Sequence, residues 1–426
     1  MSGIFKKIFV ILLSLLSIQS FSQDTEIQND SLRKNAVKLF IDCVFCDMNY
    51  IRREIPFVNY VRDVNEAELY IRESMQNTGS GGREYSYFFQ GQNKFSGMQD
   101  TLVYATRPDD TMDHTRAGRT NMMKMGLMRY VAKTPIYKEV SIRHNGQIEE
   151  EEVIDKWNNW VFEIETRPRF ESQESLKEFS IFNTFSARKI TPDWKIEMEF
   201  DHRASRTKYK YEGEESINDV TNLSNENLLV KSLSKHWSAG ARIELGTSTF
   251  SNTDFMVEFF PSVEYNLYPY SESTHRQLRF LYGAGYAYMD YIDSTIYNQV
   301  KEGHFKHSME VAYQIQDRWG SVNISLEWSN YLHDFTKNRI ELDGNLNIRI
   351  TKGLSFNIRG NIARIHDQLS LSKVELSEAD ILLQLQEMAT GYEVDGGLGI
   401  TYTFGSIYNN IVNPRFGNGG GGFRRY

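Results

Sequence analysis

Two runs of strict alternation meet across a short turn between residues 336 and 366, and no other feature of the chain restricts its fold as tightly. Ile340, Leu342, Gly344, Leu346, Ile348 and Ile350 share one side of the first run, while Arg339, Glu341, Asp343, Asn345, Asn347 and Arg349 share the other. Thr351, Lys352 and Gly353 turn the chain. Leu354, Phe356, Ile358, Gly360 and Ile362 then alternate with Ser355, Asn357, Arg359 and Asn361. Such a period makes a strand with one apolar and one polar face. Strands of soluble sandwiches usually stop near about six residues, whereas strands of about ten residues, apolar outside and charged inside, suit a barrel in lipid. The pair is therefore expected to be a transmembrane hairpin, with Arg339, Glu341, Asp343, Arg349 and Arg359 facing the lumen.

The same alternation returns from Trp157 onward. Strands are expected near 157–168, 176–189, 193–203, 226–236, 237–248, 254–268, 275–290, 304–317, 319–331, 336–350, 353–366 and 391–404, the fourth alternating least well. The expected fold class is mainly β: an antiparallel transmembrane β-barrel of about 12 strands preceded by a small α+β domain. Connections at 191–193, 236–237, 318–320 and 351–353 are short, and Tyr270 to Thr274 is somewhat longer. Those at 204–225, 291–303 and 367–390 are long, the asymmetry expected between periplasmic turns and outer loops. An even strand count returns both barrel ends to the periplasmic side.

Ahead of the barrel, residues 1–22 read as a secretory signal peptide. Lys6 and Lys7 precede an apolar core from Ile8 to Leu16, and Ser20 and Ser22 stand where a signal peptidase reads small side chains. The apolar run is shorter than the roughly 20 residues a spanning helix needs. Residues 23–36 form a polar leader. An exported chain with 24 Tyr, 26 Phe and 6 Trp has the composition of a barrel with aromatic girdles at both interfaces. A net charge of −8 argues against a nucleic-acid partner.

Residues 37–146 hold an α+β pattern. Strands are expected at 37–42, 57–61, 67–71, 84–90 and 101–106, with a short helix capped by Asp47 and ended by Pro56. A longer helix over 115–132 carries Met122, Leu127, Met128 and Val131 on its apolar side. Residues 147–156, with the acidic run Glu149 to Glu152, read as a solvated linker to the barrel at 157–404. A Gly-rich tail follows at 405–426.

The element order of 37–146 resembles the small α/β domains that accompany periplasmic assembly factors such as the curli secretion protein and the TolB amino-terminal domain. The run from Gly397 through Phe404 to Phe416 resembles the closing strand of uncharacterised outer-membrane β-barrel proteins of Gram-negative bacteria, and Tyr268 to Leu278 resembles a turn of the same group. That resemblance implies an outer-membrane seat with the small domain in the periplasm. The tail beyond Asn409 departs from it, because such barrels usually end on their final strand.

Four places invite chemistry. Cys43 and Cys46 form a C-x-x-C pair, for which a structural disulfide is the default in an oxidising compartment; a redox-active pair at the Asp47 helix start is the alternative, and zinc would need two further ligands. Gly79 to Gly82 is glycine-rich, but a strand rather than a helix follows, so it reads as a hairpin turn and not a phosphate cradle. His333-Asp334 and His366-Asp367 fall at the outer rim, where His beside a carboxylate could activate water; polar loop residues are the simpler reading. Ser377 and Asp380, followed by Ile381, Leu382, Leu385 and Met388, suggest a surface helix over the mouth. The expectation is a non-enzymatic envelope protein without metal or cofactor, whose partners are membrane lipid and another envelope protein. A narrow, porin-like channel and a rim hydrolase are the alternatives.

Overall fold

The computed structural model describes residues 35–43, 46–79, 81–142, 155–211, 214–374, 387–405 and 410. The signal, most of the leader, residues 143–154 with most of the expected linker at 147–156, the expected helix from Ser377 through Leu385 and most of the tail lie outside the described residues.

Five strands and two helices make the first unit. β1 (Lys38–Asp42), β2 (Asn59–Tyr60), β3 (Leu69–Asn77), β4 (Arg83–Gly91) and β5 (Gln99–Ala105) form one sheet in the order β2-β1-β3-β4-β5. β1 runs parallel to β2 and β3, and the rest is antiparallel. Helix α1 (Met48–Glu54) begins at Asp47, whose carboxylate accepts the Tyr50 amide. Helix α2 (Met112–Val131) begins at Thr111, whose hydroxyl accepts the His114 amide. Its buried side carries Met123, Leu127, Tyr130 and Val131 against Leu39, Ile71, Tyr87 and Phe89, with Met122 and Met128 at the margin. Gly126 is required there, since a Cβ at that position would overlap the Phe89 ring. The Gly-rich stretch is the β3–β4 hairpin turn, closed by the Asn77–Arg83 pair, with Gly81 at φ +81°.

The second unit is a twelve-stranded antiparallel sheet in sequence order: β6 (Trp160–Ser172), β7 (Leu176–Ile190), β8 (Trp194–Tyr211), β9 (Glu214–Ser232), β10 (Trp237–Ser248), β11 (Thr253–Asn266), β12 (Arg276–Tyr291), β13 (Lys301–Asp317), β14 (Gly320–Tyr331), β15 (Asp334–Thr351), β16 (Leu354–Ile365) and β17 (Tyr392–Tyr402). Residues 204–225, expected as a long outer loop, instead extend β8 and β9 into a paired hairpin from Trp194–Lys231 out to Tyr211–Glu214. Polar, charged strands projecting beyond an apolar zone lack the hydrophobic alternation that marks the rest, so the pattern stopped too early. β6 and β17 are the two ends of the ladder, and among the described residues no register of hydrogen bonds joins them.

Register keeps the faces separate across the sheet. Trp328 pairs with Met309 and Ile340, and Leu342 with Leu326 and Ile362; one position along, Glu327 pairs with Glu310 and Glu341, and Asp343 with Ser325 and Asn361. A slip of one residue would invert every side chain. The polar face is concave. Lys195 on β8 and Glu327 on β14 line one cavity of 490 Å³, whereas in a flat sheet six spacings of about 4.8 Å would hold those strands about 29 Å apart. The sheet is therefore rolled with its charged face inward. On the convex face Ile243, Phe259, Val263, Tyr282, Met309, Leu326 and Leu342 are all exposed.

Candidate functional site

The interior and its two mouths hold most of the charged chemistry. Arg279 Nη2 donates to Glu310 at 2.5 Å, Arg242 Nη2 to Glu258 at 3.4 Å, and Arg188 Nη2 to Glu199 at 3.1 Å. A second cavity of 430 Å³ is lined by Arg279, Glu310, Asp343, Arg359, Asn361 and Asp395. Glu341 and Asp343 both accept from Asn361 Nδ2, at 3.0 and 2.8 Å. Opposite charges on neighbouring strands thus neutralise one another across the interior. Of the five residues expected to face the lumen, Asp343 and Arg359 line a cavity and Arg339 pairs with Glu341 at 3.4 Å. Arg349 sits at the short-turn mouth, where it leaves the sheet and binds the small unit.

That mouth is covered by the small unit. The sheet face opposite its helices carries Phe40, Asp42, Tyr70, Arg72 and Phe88, and each short-turn contact comes from this side or its margins. Arg72 Nη1 lies 2.6 Å from His275 Nδ1 and donates to the Gln316 carbonyl. Arg349 Nη2 donates to Asp42 Oδ2 at 3.0 Å, with its guanidinium 5.2 Å over the Phe40 ring. The Gly353 amide donates to Asp63, and Lys352 pairs with Glu66. Arg62 donates to the Gly405 carbonyl at 2.7 Å, and the Tyr60 amide to Asn410 Oδ1 at 2.6 Å. Gly79 abuts Ile190, where a Cβ would meet the carbonyl oxygen at 2.7 Å. Contacts therefore reach the β7–β8, β11–β12, β13–β14 and β15–β16 turns and the end of β17, which spreads them around the ring. β3 is buried continuously from Leu69 to Glu73 because helices cover one face and the mouth covers the other. The unit lies across the mouth.

The opposite mouth is crossed by the segment after β16. Asn252, in the β10–β11 turn, donates through Nδ2 to Asp293 O and Ser370 O, both at 2.9 Å. Thr295 bridges Ser372, and the Glu387 amide donates to Phe250 O at 3.0 Å. Leu369 is buried against Met289, Tyr291 and Tyr331. The described residues of this segment, 366–374 and 387–391, reach from β16 to the β10–β11 and β12–β13 connections.

Neither His-Asp pair forms a dyad among the described residues. Asp334 Oδ1 accepts from the Thr336 amide and hydroxyl, at 2.9 and 2.7 Å, and Asp367 pairs with Arg339 at 3.3 Å. The His333 ring stacks on His304 at 3.7 Å, and burial followed by that facing ring holds its imidazole below the ordinary value. His366 is exposed. Sequence adjacency placed these residues together on paper, but strand-end geometry sends the side chains to different partners.

Cys43 and Cys46 are joined by a disulfide at the end of β1 and the start of α1. Beneath it lies a group that the sequence did not single out. Glu73, 2% exposed, pairs with Arg119 at 2.6 Å, and Arg119 Nη2 also points at Cys46 Sγ from 3.1 Å. Tyr87 is fully buried next to them, and burial raises its phenol far above the ordinary value. Burial depresses the Arg119 guanidinium, but Glu73 and Tyr87 together outweigh it and hold it above its usual range. The available signal was Arg72-Glu73, two consecutive charges inside an apolar strand, which are rarely buried without a partner.

Rolled sheet, polar interior and capping unit together define a mainly β protein of two packed parts. No family model matches the chain, and no curated protein matches it.

Proposed function

We propose that this chain is an outer-membrane β-barrel protein of a Gram-negative envelope, shut at both mouths, that anchors its small domain at the periplasmic surface to meet another envelope protein. One observation carries the reading: the convex face of the rolled sheet exposes an apolar belt, interrupted on β9 by Asn225 and Asn227, with aromatic rings toward both edges. At the short-turn edge stand Trp194, Trp237 and Trp319, with Tyr265 4.8 Å from Trp237; at the other stand Tyr286 and Phe305, 5.1 Å apart, and Phe335. An exposed apolar surface of this extent is a liability in water and the normal boundary of a barrel in lipid. The signal-like start at 1–22 supports export, and the closed mouths favour anchoring over a standing pore. Helices α1 and α2 face away from the barrel, which leaves Met125, 66% exposed, turned toward the periplasm.

The membrane arm is tested by fractionation with heat-modifiable gel mobility. Recovery in the outer membrane with a folded, fast-migrating form is expected; a folded, detergent-free soluble protein would overturn the reading. The partner arm uses a photo-crosslinking side chain at Met125 or at Phe88 in whole cells. Adducts to a second protein are expected from Met125 and internal adducts to the barrel from Phe88. Internal adducts from both would remove the partner arm while leaving the barrel intact.

A further inference from the structure

The Cys43–Cys46 bridge stands in surroundings that a purely structural staple does not need. Both cysteines are partly exposed. Arg119 Nη2 divides its N–H groups between Cys46 Sγ at 3.1 Å and Glu73 Oε1 at 2.6 Å, Nε donates to Glu73 Oε2 at 3.2 Å, and Glu73 Oε2 is itself 3.9 Å from the same sulfur. The Arg119 guanidinium also lies 4.5 Å over the Tyr85 ring, so its direction is fixed from below. Alongside opens a cleft of 650 Å³ whose lining includes Asp47, Arg83, Tyr85, Arg107, Arg116 and Arg119. Cys46 borders this cleft through its chain neighbour Asp47 and its contact Arg119, both of which line it. A fixed cation beside one sulfur of a pair stabilises that sulfur as a thiolate, which makes it the better leaving group.

We propose that Cys43–Cys46 is a thiol–disulfide exchange centre that accepts two electrons from the dithiol of another exported protein, with Cys46 as the leaving sulfur and Arg119 as the residue that holds it. A thiolate of the partner attacks Cys43 Sγ; the Cys43–Cys46 bond breaks and its electron pair leaves on Cys46, which takes the Arg119 N–H bond. Cys43 is then joined to the partner. The partner's second thiolate attacks the partner sulfur of that mixed bond, Cys43 leaves as a thiolate and takes up a proton. The partner ends with a disulfide and this chain with a dithiol, so electrons balance without another reactant. Glu73 acts in the opposite sense to Arg119, because its charge lies near the sulfur that becomes negative.

The test uses the full chain in detergent micelles, equilibrated with mixtures of reduced and oxidised glutathione, acid-quenched and counted by maleimide mass. In the reduced protein, the pH dependence of iodoacetamide alkylation at Cys46 is read by peptide mass. The bridge is expected to titrate within ordinary glutathione mixtures, and Cys46 to alkylate with an apparent pKa below the free-cysteine value of about 8.5. Arg119→Met should move the glutathione equilibrium about tenfold toward the disulfide and raise that apparent pKa. Arg119→Lys should restore most of the shift, and Glu73→Gln should move both readouts the other way. Removing one member of a buried pair can unfold its surroundings, so the Arg119→Met/Glu73→Gln double variant, which leaves neither charge, serves as the folding control and should still lack the Cys46 acidity. A bridge that resists every glutathione mixture in the folded wild type, or a Cys46 whose reactivity is the same in all four variants, would overturn the proposal.

Discussion

Arg349 and Asp42, separated by 307 residues in the chain, meet at 3.0 Å where the end of β15 meets the helix-free face of the small sheet. The pair is one of several polar contacts that seat the domain on the mouth, alongside Arg72 with His275 and Lys352 with Glu66. Partly exposed ion pairs contribute only about 0.2–1 kcal/mol each, so Arg349→Gln or Lys352→Gln alone should change little. Arg72 is different, because it is buried and bonds a carbonyl as well as a ring. The combination Arg72→Gln/Arg349→Gln is expected to speed amide hydrogen exchange about tenfold or more over residues 349–356 and 38–42. Exchange unchanged from wild type would show that the seat rests on packing instead.

The assignment of faces makes the sharpest contrast between neighbours. Ile348 lies on the apolar side opposite Phe356, and Asn347 on the polar side opposite Asn357. Ile348→Arg is expected to cost about 2–4 kcal/mol of folded barrel in a bilayer and Asn347→Arg far less. Heat-modifiable mobility after refolding into vesicles measures both; equal losses would break the assignment.

Asp47 caps α1, and the Tyr50 amide, reinforced by Arg116, holds its carboxyl below the ordinary value of 3.8. A depressed carboxyl stabilises the fold fully above its ordinary value, and that contribution fades as pH falls through the depressed one. Asp47→Ala should therefore cost about 1 kcal/mol at pH 7, read as faster hydrogen exchange over residues 48–54. The difference from wild type should shrink below about pH 4. A gap that persists at pH 2 would mean the side chain acts by something other than its charge.

Much of this architecture was legible because it repeats with a short period. The Ile340-to-Ile350 alternation locates β15 to within a few residues, and even the poorly alternating β9 was found, since Leu228 and Val230 on its inner side confuse the pattern without erasing the strand. The docking of the two units was not legible. Asp63, Glu66 and Lys352 look like ordinary surface charges in sequence, and although Arg72 stands out inside an apolar strand, its partner His275, like theirs, lies hundreds of residues away. Glu73 was conspicuous in the same strand but its partner Arg119, on α2, was not: periodicity reports which face a residue takes, not which other element packs on that face.

The last expectation concerns the outer closure and separates a shut barrel from a channel. Asn252 holds the crossing segment by one bond, donating to Ser370 O, and holds the β12–β13 connection by two, donating to Asp293 O and accepting the Asp293 amide at 2.8 Å, from a backbone at φ +54° that Asn tolerates better than most residues. Asn252→Ala removes all three and strains the turn, a local loss of about 1–3 kcal/mol, which loosens the segment at Ser370 and the loop that carries its Thr295 bridge without unfolding a twelve-stranded sheet. In planar bilayers the wild type is expected to give no steady conductance, and so is Asn252→Ala alone, because the domain still covers the other mouth. Conductance is expected only when Asn252→Ala is combined with Arg72→Gln/Arg349→Gln. Steady current through the wild type would make the lumen an open pore and remove the anchoring reading. Silence in the combined variant would place the block within the interior, where Arg279 and Glu310 at 2.5 Å, with Glu264 3.9 Å from the same guanidinium, already bridge neighbouring strands.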